Sequence, residues 1–184
     1  MKRIAPFVLG LLVVSSAAFA QAPAGDFENA LIPAPANLKE GATIIKWKPD
    51  YTYDTLKKGT NTLVCFERTN LNLPGAQPID SECTSLGNLP RVAQNLKFET
   101  EPDRAKRQAA IDAAEKDGSR VKPEYGSVWY HVRGADKNNV RRHTTVAVPG
   151  ATTATTGIPD NAKQGGVWIM DAGTTTAHLM IPGF

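Results

Sequence analysis

The two cysteines of this chain, Cys65 and Cys83, constrain its fold more than any other sequence feature. Cys65 lies in the segment 62–68, where side chains alternate between two faces as they do in a strand. Cys83 lies in the segment 69–87, whose Asn, Pro, Gly and Ser residues predict a long loop. A disulfide would attach this loop to the strand, and closing a loop of this size stabilises a fold by about 3 kcal/mol.

The first twenty residues predict a cleavable signal peptide. Lys2 and Arg3 precede an apolar stretch over residues 4–14, and small residues follow up to Ala20. The apolar stretch has about 11 residues, whereas crossing a bilayer takes roughly 20, so an uncleaved anchor is the less favoured alternative. Export to the periplasm or the medium places the cysteines in an oxidising compartment. A disulfide is therefore expected rather than two free thiols.

Charge limits the class of partner. The chain has 21 basic and 18 acidic residues, and two of the basic residues lie in the signal peptide, which leaves a nearly neutral mature chain. Basic residues alternate with acidic ones except at Lys57-Lys58 and Arg141-Arg142, whereas nucleic-acid binding needs a concentrated basic surface. We therefore expect no nucleic-acid partner, no membrane span in the mature chain and no cofactor. The expected partner is a small ligand or an envelope component of unknown identity.

The order of strand and helix patterns predicts an α+β fold. After an irregular lead-in over residues 21–40, a single globular domain is expected over residues 41–184. The segment 51–58 has an ambiguous pattern, and a turn over residues 171–174 is expected to join the last two strands. Strands are predicted over residues 42–47, 62–68, 127–133, 143–148, 167–170 and 176–181.

Two helices are predicted between the early and the late strands. The first begins after Asn88, its expected cap, and its apolar residues recur at helical spacing. These residues are Leu89, Val92, Ala93 and Leu96. The second helix covers residues 104–117, with Thr100 as its expected cap and Gly118 at its end. The expected architecture is an antiparallel sheet with two helices inserted between its early and late strands, and one disulfide.

Three histidines are the candidate site residues, because imidazole binds metals and acts as a general base. His131, His143 and His178 all fall on predicted late strands. If the strands of His143 and His178 are neighbours, the alternation of side chains places both imidazoles on one face of the sheet. Asp171 is the candidate third member of a catalytic set, and His131 is the candidate third ligand of a metal site. The alternative is that solvent and ordinary hydrogen bonds satisfy these histidines.

One motif of a common catalytic site has a formal match, Ser119-Arg-Val-Lys122, but Gly118 ends a helix before it and Pro123 blocks the helix that this chemistry needs. The sequence has no phosphate-binding glycine loop, no His-Glu-x-x-His and no Gly-x-Ser-x-Gly. The aromatic residues, including Trp47, Trp129 and Trp168, either line a ligand groove or fill the core. We expect an exported, non-catalytic module that binds a small ligand or an envelope component. The alternative is a hydrolase-like or metal-binding site built on His143 and His178.

Several short motifs follow one another in a recognisable order. The segment Lys58-Gly-Thr-Asn61 precedes the first cysteine, and His143 opens an aliphatic strand that ends at Pro149. Two further segments follow, Gly165-Gly-Val-Trp-Ile-Met170 and Ala177-His-Leu-Met-Ile-Pro182. Over residues 42–182 the chain resembles a group of uncharacterised exported bacterial proteins with the same cysteine pair and a histidine in the last strand. The resemblance implies that His143 and His178 are site candidates, and it implies no particular reaction.

Overall fold

The computed structural model describes residues 27–181, so the signal peptide predicted over residues 1–20 lies outside the described residues. The strands are β1 Thr43–Trp47, β2 Tyr53–Lys57, β3 Leu63–Glu67, β4 Ile79–Ser85, β5 Val128–Gly134, β6 Val140–Ala147, β7 Trp168–Met170 and β8 His178–Met180. The helices are α1 Ala36–Lys39, α2 Leu89–Glu99, α3 Arg104–Asp117 and α4 Thr153–Thr156. Within residues 27–181, no helix has the length and the apolar surface that crossing a membrane requires.

The eight strands form one mixed sheet in the order β2-β1-β3-β4-β5-β6-β8-β7. The expectation of an antiparallel sheet is wrong, because β1 and β3 pair in parallel. The cause is the ambiguous segment 51–58, which contains β2 and pairs with β1 in an antiparallel hairpin. The chain then crosses to the other side of β1, so that β3 runs in the same direction as β1. The α+β class itself is confirmed.

Strand β4 lies within the segment for which composition predicts a long loop, and that prediction is wrong over Ile79–Ser85. Six of the seven β4 residues are buried although four of them are Asp80, Ser81, Glu82 and Thr84. The strand pairs with β3 on one side and with β5 on the other. Asp80, Glu82 and Thr84 are contacted by neighbouring polar groups, which local β-propensity does not register.

The predicted disulfide between Cys65 and Cys83 is confirmed, and it joins two neighbouring strands rather than a strand and a loop. The two cysteines are directly opposite each other in β3 and β4, and both are fully buried. Leu31 and Leu38 pack against them. Leu38 belongs to α1, which lies within the segment expected to be an irregular lead-in. The disulfide therefore forms the centre of a small core.

The main core lies on the opposite face of the sheet, where α2 packs against β3. Val64 and Phe66 of β3 are fully buried under this helix. The buried apolar residues of the helix are Leu89, Val92 and Leu96, as the predicted spacing requires. Burying a side chain of this kind stabilises the fold by about 1.5–3 kcal/mol. Of the residues of α3 only Ala114 is buried, so that helix packs shallowly, as its composition indicates.

Asn88 occupies the predicted N-cap position of α2 without a side-chain cap bond, and the cap predicted for α3 is wrong. The amide group of Asn88 donates to Thr84 Oγ1 at 2.8 Å and to Ser127 Oγ at 2.9 Å, and its side chain makes no cap bond. Thr100 follows the last residue of α2 and does not cap α3. The cap of α3 is Asp103, whose Oδ1 accepts hydrogen bonds from two backbone N–H groups of the first turn. A carboxylate also favours the positive end of the helix dipole.

Replacing Asp103 with alanine is expected to lower the free energy of unfolding by about 1 kcal/mol, because two N–H groups lose their acceptor. Thr100→Ala is the matched control. The Thr100 hydroxyl only donates to the exposed carbonyl of Lys97, so its loss should change stability much less. Urea unfolding of both variants measures the difference. Equal losses for the two variants would contradict the assignment of Asp103 as the cap.

Candidate binding site

The three histidines proposed as site residues lie on the face of the sheet that α2 covers. Residues directly opposite in neighbouring strands share a face, and His131 of β5 is opposite His143 of β6. β6 and β8 are neighbours, with Ala147 opposite His178, and Ala147 shares a face with His143 because side chains alternate. On the other side of β5, Glu82 of β4 is opposite His131. The sheet thus brings acidic and imidazole groups together beneath one helix.

Arg68, which follows β3, is a buried arginine with three carboxyl groups around it. Its guanidinium contacts Glu99 of α2 and donates to Glu82 Oε2 at 3.4 Å. Its Nε lies 3.6 Å from Asp80 Oδ1. Arg68 is 9% exposed, and Asp80 and Glu82 are 2% and 8% exposed. One positive charge therefore faces three carboxyl groups where solvent screens them only weakly.

Asp80 is the second centre of these contacts. Its Oδ1 lies 2.8 Å from His131 Nε2, and its Oδ2 lies 3.0 Å from Arg133 Nε. Burial by itself would raise the pKa of Asp80, but the hydrogen bond from His131 and the charge of Arg68 hold that pKa below its usual range. Both Asp80 oxygens are therefore occupied. We call this set of side chains the ion network: Arg68, Asp80, Glu82, Glu99, His131 and Arg133.

The pKa of Glu82 is shifted in the opposite direction from the pKa of Asp80. Its burial disfavours the carboxylate and raises the pKa of Glu82, and the nearby Glu99 and Asp80 carboxylates add to this effect. Arg68 opposes the rise but shares its single charge with the other two carboxyl groups. The ion network thus contains one carboxyl group whose protonated form is favoured by burial.

Replacing Glu82 with glutamine is expected to change how stability depends on pH. Because folding raises the pKa of Glu82, its contribution to stability is complete below the unfolded value of 4.5 and is lost as pH rises through the folded value. Relative to wild type, Glu82→Gln should therefore become more stable as pH rises above 4.5. Asp80→Asn should instead lose stability relative to wild type as pH rises toward 3.8, since folding lowers the pKa of Asp80 below that value, and should show little further change above it. Urea unfolding at several pH values tests this, and parallel pH profiles for the two variants would contradict it.

A cavity of about 380 Å³ lies between the ion network, α2 and α3. We call it the arginine cavity because Arg68, Arg107, Arg120 and Arg133 line it. The rest of its wall comes from the ion network, the two helices and the loop before β4. These residues are Asp80, Glu99, Asn95, Phe98, Ile111, Leu73, Pro74 and Ala76. The wall combines fixed charges with a smaller apolar part.

Arg120 is a deeply buried charge in this wall, with 5% of its surface exposed. Its two terminal nitrogens donate to Gln94 Oε1 and Asn95 Oδ1, each at 2.6 Å, and its guanidinium lies 5.1 Å from the ring centre of Phe98. Its Nε is buried and has no hydrogen-bond partner among residues 27–181. Burial lowers the pKa of Arg120, since neutral amide oxygens do not balance its charge.

A second cavity, of about 160 Å³, shares Asn95 with the first. We call it the histidine cavity because His143 and His178 line it together with Trp129. His143 Nε2 lies 3.3 Å from the sulfur of Met180, and His178 Nδ1 donates at 2.8 Å to a backbone carbonyl two residues earlier. Burial lowers the pKa of His143, and the neighbouring histidines act in the same direction.

Arg91 of α2 lies in the wall of the histidine cavity and is 3% exposed. It donates to the carbonyl of Val121 at 2.5 Å and to the hydroxyl groups of Thr175 and Thr176 at 3.2 Å and 2.7 Å. Burial, together with the charge of Arg120, lowers the pKa of Arg91 to about 10. Two buried arginines thus lie on either side of the boundary between the cavities.

The predicted site residues are only partly brought together. His143 and His178 line one cavity, but the register offsets their backbone positions by four residues along the strands. This offset corresponds to about 13 Å. Two ligands of one zinc ion must approach within about 4 Å. Asp171 lies in the exposed turn after β7, and His131 is bound to Asp80. Among residues 27–181, no cluster of three or more His, Cys, Asp or Glu side chains is arranged to hold a metal ion. The catalytic and metal roles of these residues stay predictions.

Sequence reasoning missed the buried arginines. Arg91 lies on the side of α2 opposite the apolar stripe, so helical periodicity alone places it at the surface. It is buried because α3 and the segment after it cover that side of the helix. The two acidic residues of β4, Asp80 and Glu82, could have been found from the sequence. Together with Thr84 they alternate along the chain, which is the pattern of a strand with one polar face.

The fold and its two cavities define an α+β protein with a mixed eight-stranded sheet, one disulfide and a buried ion network. Comparison with protein-family models, with curated proteins and with solved structures finds no match. The resemblance to uncharacterised exported bacterial proteins therefore stays a prediction. The functional inference rests on the two cavities.

Proposed function

We propose that this chain is an exported, non-catalytic module that binds a small polar ligand in the arginine cavity. The observation that carries this proposal is the set of four arginines that line one cavity, among them Arg120, which is 5% exposed and donates only to amide oxygens. A buried charge held only by neutral acceptors costs free energy, and a ligand with a polar acceptor beside it recovers part of that cost. The cavity volume of about 380 Å³ also falls within the range of small-molecule sites.

The chemistry of the cavity wall favours binding over catalysis. A general base needs a lone pair that can reach the substrate. Both oxygens of Asp80 are engaged by positively charged or imidazole groups, and Glu99 is held by Arg68. Carboxylates fixed in this way orient a ligand but do not readily accept its proton. The Cys65–Cys83 disulfide supports the exported part of the proposal, because such bonds persist in oxidising compartments.

The test is the melting temperature of the full chain, with its disulfide intact, in millimolar glucose, L-alanine, succinate or inorganic phosphate at matched ionic strength. At least one compound is expected to raise Tm by several degrees, because a ligand that binds only the folded state stabilises it. Ile111→Trp places a large ring in the cavity wall and should abolish the rise. Ala113→Trp, on the exposed side of the same helix, is the matched control and should keep it.

Two results would overturn the proposal. One is the absence of any rise in Tm with all four compounds. The other is an equal rise in the Ile111→Trp and Ala113→Trp variants, which would place binding outside the arginine cavity. Neither result bears on the fold, because the experiment compares the Tm of each variant with and without the added compound.

A second candidate is a hydrolase-like or metal-binding site, and the observation that favours it is the position of His143 and His178 in one cavity. The double variant His143→Ala, His178→Ala separates it from the first candidate. The variant keeps the ligand-induced rise in Tm if the ligand occupies the arginine cavity. It loses the rise, or loses binding of added zinc, if the histidines form the site.

A further inference from the structure

The charges around the arginine cavity do not balance. Its two carboxylates are already paired, Asp80 with Arg133 and Glu99 with Arg68. Arg107 and Arg120 line the same wall, and neither forms an ion pair with a carboxylate among residues 27–181. Arg107 and Arg120 are therefore the two guanidinium groups of the wall that contact no carboxylate among residues 27–181.

The hydrogen bonds of Arg107 and Arg120 go to neutral acceptors, which do not balance the charges of the two guanidinium groups. Arg120 donates only to side-chain amide oxygens, and Arg107 donates to the backbone carbonyl of Glu101 at 3.3 Å. Glu115 is a carboxylate close enough to influence Arg120, but it accepts hydrogen bonds from the backbone and hydroxyl of Thr175. A buried charge of this kind is costly unless an opposite charge approaches it.

We infer that the ligand of the arginine cavity is a small anion with a carboxylate or phosphate group, bound by Arg107 and Arg120. The inference rests on the proposed function and adds the chemical class of the ligand. Guanidinium groups match carboxylate and phosphate oxygens because they present several N–H donors in one plane. Arg120 is already held in position by Gln94, Asn95 and the ring of Phe98, so binding costs little of its side-chain freedom.

The same contacts disfavour a cationic or zwitterionic ligand. An ammonium group would need a free carboxylate, and Asp80 and Glu99 are both engaged by arginines. Arg91 lines the histidine cavity together with Asn95, which both cavities share, and it forms no ion pair with a carboxylate among residues 27–181. An anion therefore meets favourable charge from three arginines, whereas an amine meets repulsion.

Isothermal titration of the full chain with inorganic phosphate and with succinate, at constant ionic strength, tests this inference. At least one of the two anions is expected to bind, and Arg107→Gln should weaken its binding by about tenfold or more, as expected for a lost charge-assisted hydrogen bond. Arg104→Gln is the matched control, because it makes the same change on the exposed first residue of α3. Arg120→Gln should weaken binding further, and Arg120→Lys only partly restores it because lysine lacks the planar fork.

Binding of phosphate alone or succinate alone supports the inference and identifies which anion the cavity prefers. Equal weakening by Arg104→Gln and Arg107→Gln would overturn it, since that result indicates diffuse surface attraction. If Arg120→Gln does not fold, the half-buried Arg107 still decides the question. A rise in Tm with glucose or L-alanine but with neither anion leaves the binding function standing and refutes only the anionic class.

Discussion

Replacing Arg68 with methionine is expected to lower the free energy of unfolding by about 3–5 kcal/mol. The change removes the one charge that contacts all three carboxyl groups of the ion network, Asp80, Glu82 and Glu99. Methionine fills much of the space but leaves the buried Glu82 without its arginine, while Asp80 keeps only Arg133 and His131. Urea unfolding at neutral pH measures the loss.

The control for this prediction is Arg133→Met, which removes another arginine that contacts Asp80. The Arg133 side chain is 44% exposed, so solvent screens its ion pair and its loss should cost about 1 kcal/mol or less. Adding Glu82→Gln to Arg68→Met should recover part of the stability, because it removes one uncompensated carboxyl group. Equal losses for Arg68→Met and Arg133→Met would contradict the view that Arg68 organises the network.

Removing the disulfide with Cys65→Ala and Cys83→Ala is expected to lower the free energy of unfolding by about 3 kcal/mol. The link restricts the unfolded chain over 18 positions, and both sulfur atoms also fill a fully buried part of the core. The double variant should have a larger dependence of stability on urea concentration, because its unfolded chain exposes more surface. A loss of stability with no change in that dependence would show that packing, not chain restriction, accounts for the effect.

The two long helices, α2 and α3, were the most predictable part of this fold. The spacing of Leu89, Val92 and Leu96 is enough to place α2 and its buried face, because a helix needs no information from distant residues. Gly118 ends α3 where the sequence indicates, with the positive φ of 77° that glycine adopts readily. The disulfide was also predictable, since a chain with two cysteines and a predicted export signal offers one pairing.

The sheet was less predictable, because pairing depends on residues far apart in sequence. The composition of strand β4 is polar and predicts a loop. The segment is a buried strand because it lies between β3 and β5. The parallel pairing of β1 and β3 follows from the formation of β2, whose own pattern is ambiguous. Local propensity carries no information about which side of β1 the next strand occupies.

The candidate site was also predictable in one part and not in another. Alternation along the strands indicated that His143 and His178 share a face, and the register agrees with it. Arg120 was not identified, because it follows a helix and precedes a loop with no periodic pattern. Its burial arises from Gln94 and Phe98 on another helix. A site assembled from separate elements leaves no spacing in the sequence by which it could be recognised.

The most direct test of the anion site is the NMR signal of the Arg120 Nε–H group during titration of the ¹⁵N-labelled full chain with succinate or inorganic phosphate. The signal of Arg120, whose Nε has no acceptor among residues 27–181, is expected to shift and saturate with the anion that binds. The signal of Arg104, on the exposed end of α3, should stay unchanged. An Arg120 signal that does not move, while the ring signals of His143 and His178 do, would contradict binding in the arginine cavity.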